Sequence, residues 1–161
     1  MDCQPLSPFR FQGWEGKRLT HSFGWNYDFD TGEVARAAPM PDWLVDVRSR
    51  VAAFADLDPD TLVQALLIRY DVGAGIDWHR DRPIYEHIVG LSLGVPATMR
   101  FRRKHGDRWL RASLPLEPRG AYHLAGEARH DWEHSIAEME RTRHSITFRS
   151  PSTRGRSILT T

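Results

Sequence analysis

His79 and Asp81 stand two residues apart in the run DWHRD, and His134 follows far downstream in WEHSI. Two imidazoles and one carboxylate are the ligand mix of a facial triad that holds non-haem Fe(II) and leaves coordination positions open. Arg143 and Arg149 lie six residues apart beyond the second histidine, in RHSITFR. A guanidinium presents a planar fork that grips a carboxylate bidentately, which an ammonium cannot match. A metal triad with two arginines beyond it points to an oxygenase that holds an anionic co-substrate against the metal.

The elements that would position these groups follow from periodicity. On a strand, residues two apart share a face, so a strand over 77–81 would aim His79 and Asp81 the same way. The same rule puts Arg143, Ser145, Thr147 and Arg149 on one face of a strand over 143–149. Ile146 and Phe148 then point the other way, into apolar packing. Polar groups on a buried face need an anion or a solvent channel, and Ser145 joins the two arginines as a candidate contact to that anion. The triad gains weight from this company, because the chain's eight histidines make some histidine downstream of His-x-Asp almost inevitable.

One helix is expected over 41–55, with Trp43, Leu44, Val47, Val51 and Phe54 on its apolar face and Pro41 or Asp42 in its first turn. From Leu62 onward the texture is that of short strands punctuated by Gly and Pro. They fall over 63–70, 87–94, 97–103, 109–114, 121–124, 130–136 and 143–149. Such spacing predicts a mainly β fold with one supporting helix, a double-stranded β-helix or jelly roll. At 161 residues the chain is expected to form a single domain. Its parts would be a lid-like segment over 19–40, the helix, a jelly-roll core over 62–149 and a flexible polar tail over 150–161.

Composition excludes several classes. The one cysteine, Cys3, rules out a disulfide framework and a cysteine zinc site, and a reducing compartment fits best. The opening MDCQPLSPFRF has no apolar run of signal-peptide length, and no segment is long and apolar enough to span a bilayer. The expectation is a cytoplasmic monomer with no membrane association. The net charge of +1 hides an asymmetry. Residues 1–99 carry 9 Lys and Arg against 14 Asp and Glu, whereas residues 100–161 carry 13 against 7. A basic half draws polyanions to one face, and the segment RFRRKHGDR over 100–108 is its densest stretch.

The run LIRYDVGAGIDWHRD over 67–81, followed by WEHSI and RHSITFR, resembles the AlkB-like family of Fe(II)/2-oxoglutarate-dependent dioxygenases. That family combines a Tyr, a Gly-containing turn, His-x-Asp, a distal His and an Arg-x5-Arg strand, and the likeness runs from about Phe23 to Arg149. It implies His79, Asp81 and His134 as iron ligands and as the catalytic centre. It also implies Arg143 and Arg149 as carboxylate partners of 2-oxoglutarate, with Tyr70 donating a further hydrogen bond.

The segment SFGWNYDFD over 22–30 resembles the aromatic lid of the family, which implies Trp25 and Tyr27 as substrate contacts, with Trp78 beside the triad as a third. The implied reaction couples oxidation of 2-oxoglutarate by O2 to hydroxylation of an N-methyl group, which then leaves as formaldehyde. The implied substrate is an alkylated base in single-stranded DNA or RNA. A methylated protein, a small molecule and a binding module without turnover remain the alternatives. Three positions depart from members that act on alkylated bases. Ile68 and Ser145 replace residues that are often Asn, and Pro83 stands where an acidic residue can read the base.

Overall fold

The computed structural model describes residues 6–11, 14–27, 31 and 34–159. Eleven strands are described, with three α-helices. In chain order they are β1 (Ser7–Phe11), β2 (Trp14–Tyr27), β3 (Val34–Arg36), α1 (Asp42–Phe54), β4 (Gln64–Tyr70), β5 (Ile76–His79) and β6 (Tyr85–Leu93). There follow β7 (Ala97–His105), β8 (Arg108–Leu116), β9 (Ala121–Leu124), α2 (Gly126–His130), β10 (Glu133–Ile136), β11 (Arg143–Pro151) and α3 (Thr153–Leu159). A seven-stranded sheet runs in the order β1-β2-β4-β11-β6-β9, with β3 paired to β2, and a four-stranded sheet runs β5-β10-β7-β8. The two antiparallel sheets face each other as a jelly roll, the architecture that the strand spacing predicts.

Two apolar clusters hold the layers together. Between the sheets, Ile68, Ile88, Tyr122 and Leu124 of the large sheet meet Met99, Phe101, Leu116 and Ile136 of the small one. Behind the large sheet, Ala65, Leu67, Val89, Ile146 and Phe148 pack on Leu44, Val51 and Ala52 of α1. Strands β4 and β11 are therefore buried on both faces, which explains the almost unbroken apolar run ALLI in β4. Helix α1 covers the expected segment with a narrower core face. Trp43 and Phe54 are 39% and 57% exposed, because each lies most of a quarter-turn away from the Leu44–Val51 axis at 100° per residue.

Several expectations need correction. Residues 19–24, expected in a lid, form an inner strand of the large sheet, where Leu19–Gly24 pairs with Gln64–Arg69. Phe23 commits that strand by joining the α1 cluster. Gly24 has φ +77, and a Cβ there would strike the Val63 carbonyl, so glycine permits the close crossing. The strand expected over 130–136 is confined to Glu133–Ile136 and is preceded by α2.

The tail expected to fray also carries structure. Strand β11 runs on to Pro151, and α3 follows. The buried Ser152 accepts from the Gly155 amide at 3.1 Å, capping the helix, and donates to the Pro83 carbonyl at 2.6 Å. No helix among the described residues is long and apolar enough to cross a membrane.

Candidate metal and co-substrate site

Strand β5 ends at His79, so Asp81 lies in the loop that follows and does not share a strand face with it. Two local devices nevertheless bring both side chains inward. The first is a β-bulge. His79 pairs with His134 and Ile76 with Ile136, so β5 uses one more residue than β10 across that interval. The bulge breaks the simple alternation and lets Ile76 and His79 both face the space between the sheets. The second is Arg149 of β11, whose Nε donates to Asp81 Oδ2 at 2.8 Å.

The outcome is a compact donor set. Ligand atoms of His79, Asp81 and His134 all lie within 4.8 Å of one another. Asp81 Oδ1 is 3.4 Å from His79 Nε2 and 3.7 Å from His134 Nε2. The His79 Nδ1 proton goes to the Asp77 carbonyl at 2.8 Å. That bond orients the ring and turns Nε2 toward the carboxylate. Because Arg149 occupies Oδ2, Oδ1 is the oxygen left for a cation. Burial pushes the Asp81 carboxyl up, but the Arg149 guanidinium above all holds it well below the usual carboxylate range. Burial, reinforced by His79, lowers His134 from 6.5 to about 4, so it is a neutral imidazole at physiological pH. A carboxylate with two imidazole nitrogens crowded on one oxygen fits a divalent metal ion.

The loop carrying Asp81 is clamped from two sides. Arg129 of α2 is buried and donates to the Arg82 and Tyr85 carbonyls at 2.6 and 2.7 Å. Ser152 holds the Pro83 carbonyl. Residue 83 is thus held through its backbone carbonyl.

Beside the triad, a pocket of about 430 Å³ including its open mouth is lined by all three candidate ligands and by Tyr70, Arg143, Ser145, Thr147 and Arg149. Arg143 is 1% exposed. Its Nη2 donates to Ser92 Oγ at 3.0 Å, and its guanidinium lies 5.2 Å from the Tyr70 ring. Among the described residues its Nε and Nη1 have no hydrogen-bond partner. A buried cation with two unused donors is costly, and a carboxylate is the group that satisfies it. Arg149 is used differently. Besides Asp81 it donates to Gln64 and Thr147, at 3.2 and 3.0 Å. Ile68 and Ser145, two positions that depart from the alkylated-base pattern, are cross-strand partners in β4 and β11, and both line this pocket.

Of the ten residues singled out in the sequence, seven converge here. Trp25 is buried in β2, paired with Arg36 of β3, and does not line the pocket. Trp78 also lies outside it, packed under Arg100 and Arg102. The Tyr27 side chain lies outside the described residues.

Arg18, Gln64, Ser92, Tyr122 and Arg129 escape the sequence reading. Arg18 reaches the pocket from β2 and hydrogen-bonds the Tyr70 side chain, which leaves the Tyr70 hydroxyl proton free to be donated. A faint signal for two others existed in β6, where Gly90 and Ser92 are small residues on the inward face of an apolar strand. A Cβ at Gly90 would collide with the Tyr122 ring.

A double-stranded β-helix with two histidines and one carboxylate converging between its sheets defines the class of non-haem iron oxygenases. The match to the 2OG-Fe(II) oxygenase superfamily extends over residues 11–161, and the chain belongs to that superfamily. It is AlkB-like, and the cofactors of the class are Fe(II) and 2-oxoglutarate. The chain is 27% identical over 159 residues to an alkylated DNA repair protein ALKBH8 homolog of Arabidopsis thaliana, covering 83% of this chain and 46% of that one. It is also 27% identical over 128 residues to the tRNA (carboxymethyluridine(34)-5-O)-methyltransferase ALKBH8 of Mus musculus, covering 74% and 18%. The chain therefore spans less than half the length of these relatives. The structure of OsALKBH1 superposes with a TM-score of 0.67 at 16% identity, covering 89% of this chain and 82% of that one, a likeness of fold.

Proposed function

We propose that His79, Asp81 and His134 hold Fe(II), and that the pocket beside them takes 2-oxoglutarate. The reaction proposed is oxidative demethylation of alkylated bases in single-stranded DNA or RNA. When bound, the iron supplies the oxidation of 2-oxoglutarate by O2 and the transfer of oxygen to the N-methyl carbon. Everything else falls to the chain. Arg149 fixes Asp81 with Oδ1 facing the imidazoles, and the Asp77 carbonyl orients His79. Arg143 receives one carboxylate of the co-substrate deep in the pocket, with Tyr70 and Ser145 beside it. The apolar walls of Ile68, Ile76, Ile88 and Met99 exclude water. Hydroxylation of an N-methyl group gives a hemiaminal that loses formaldehyde.

The observation that carries this reading is the buried Arg143, with two unused donors, in one pocket with the three candidate ligands. The nucleic-acid substrate is supported by the names of the relatives, one an alkylated DNA repair protein homolog and the other acting on tRNA. The test is formaldehyde and succinate release with Fe(II), ascorbate and 2-oxoglutarate. Oligonucleotides bearing 1-methyladenine or 3-methylcytosine are to be run beside a methylated peptide library. Release from the oligonucleotides supports the proposal. Release from peptides alone moves the substrate to protein and leaves the iron site as assigned, and no succinate under any condition refutes the enzyme reading.

A further inference from the structure

The small sheet has an outer face that the candidate site does not use. Met99 and Phe101 of β7 are buried between the sheets, so the alternating Arg100, Arg102 and Lys104 point outward. In the next strand, Trp109 pairs with Lys104 and Arg111 with Arg102, which puts both on the same face. Trp78 of β5 completes it. The Arg102 guanidinium sits between two indoles, 4.4 Å from Trp78 and 4.6 Å from Trp109, with its Nε on Glu133 at 2.7 Å. Lys104 Nζ is 5.8 Å from Trp109, and Arg100 lies 5.2 Å from Trp78. Four cations thus share the face with Glu133, whose carboxylate is already engaged by Arg102, while Glu138 and Glu140 line a cleft beside Arg100. Arg100, Lys104 and Arg111 are exposed, and Trp109 is 42% exposed.

We infer that this outer face is a docking track for single-stranded nucleic acid, with Arg100, Lys104 and Arg111 on phosphates and Trp109 under a base. The inference rests on the nucleic-acid reading proposed above and adds to it the surface that holds the strand. Arg100 and Lys104 lie four residues, about 13 Å, apart along β7, and Arg111 of β8 stands opposite Arg102 between them, so the three cations are spread along the path of one extended strand. Arg102, saturated by two indoles and a carboxylate, serves to hold the aromatic platform rigid. An exposed indole flanked by cations suits the π-face of a base, and stacking of this kind tolerates any sequence. Trp78 is the residue before His79 but faces the other way, so the track lies across the sheet from the metal site and comes near it only at the edge strand β5.

The test uses the full chain and a fluorescein-labelled, unmethylated oligothymidine, so that docking is read apart from turnover. Binding is expected to weaken with salt. The double variant Lys104→Glu/Arg111→Glu should weaken it by at least about tenfold. The same variant should flatten the plot of log affinity against log salt by about 1.4, two phosphate contacts of a single strand. Trp109→Ala should weaken binding by at least about fivefold with the slope unchanged. Uncoupled succinate formation and the melting temperature should stay those of the parent in all variants. Unchanged affinity and slope in the double variant overturn the inference, as does equal affinity for polyglutamate. Binding of the strand with no demethylation of methylated oligonucleotides keeps this face and removes the substrate reading. Undiminished demethylation by the double variant removes this face and keeps that reading.

Discussion

Replacing Arg143 by Met should raise the stability of the ligand-free protein while destroying its affinity for 2-oxoglutarate. The side chain is 1% exposed, has one hydrogen bond at 3.0 Å to Ser92, and leaves Nε and Nη1 without partners among the described residues. Each unmet buried donor costs about 1–3 kcal/mol. Methionine removes both while filling most of the space. Against that stand the lost Ser92 bond and the contact with Tyr70, together about 2–4 kcal/mol. The two relieved donors, about 2–6 kcal/mol, set against that loss give a net effect centred on a gain of about 1 kcal/mol and spanning a loss of about 2 to a gain of about 4, so for a chain of this size Tm is expected to rise by roughly 2–4 °C. Binding moves the other way. Two charge-assisted hydrogen bonds to a carboxylate, at about 1.5–3 kcal/mol each, correspond to a loss of about 10²- to 10⁴-fold in affinity. Thermal melts under argon with Fe(II), with and without 2-oxoglutarate, read both quantities at once. The parent should gain stability with ligand concentration, and the variant should start at least as stable and gain nothing. A variant that melts well below the parent and still binds 2-oxoglutarate normally would show that Arg143 is a structural cation and would refute the reasoning. Arg143→Lys should fall between the two, keeping the charge and losing the fork.

Three further outcomes follow from the geometry. His134 is lowered to about 4 in the fold and is near 6.5 when unfolded. Its contribution is therefore fully present above about pH 7 and is lost as pH falls, by about 3 kcal/mol at pH 4; urea melts of metal-free protein should show this slope, and His134→Gln should flatten it. Asp81→Ala should abolish succinate formation and also destabilise the metal-free protein by about 3–5 kcal/mol, because Arg149 loses its buried partner; an unchanged melting curve would contradict the pairing seen here. Arg129→Met frees the Arg82 and Tyr85 carbonyls and should weaken Fe(II) binding by about 10- to 100-fold. Metal titration checks this, and an affinity within twofold of the parent would show that the Asp81 loop holds itself.

The residue types of the candidate site and most of the frame are legible along the chain. His79, Asp81, His134, Arg143 and Arg149 were legible because metal ligation and carboxylate binding demand particular side chains, and few residue types meet either demand. The strands were legible because Gly and Pro end them and alternation marks their faces, as with Arg143 and Arg149 against Ile146 and Phe148. What tertiary structure decided was how those groups are aimed. A strand through Asp81 would have placed it beside His79 by alternation alone. In the fold a bulge in β5 turns His79, and Arg149, 68 residues away, turns Asp81.

The two arginines look equivalent in RHSITFR, yet one is paired with a carboxylate and the other keeps two donors without partners among the described residues. Nothing local distinguishes them, since the difference lies in what β4, β6 and the Asp81 loop bring alongside. Trp25 and Trp78 show the converse. Aromatics near a motif in sequence suggest a substrate contact, but strand faces assign one to the interior and the other to the outer surface. The tail departs from its composition for a related reason: Ser, Thr and Arg are the composition of a fraying end, and only the carbonyls of Pro83 and Ile84 give Ser152 something to hold. Side-chain chemistry is a local property and can be read along the chain, whereas partnership between distant residues exists only once the backbone has folded.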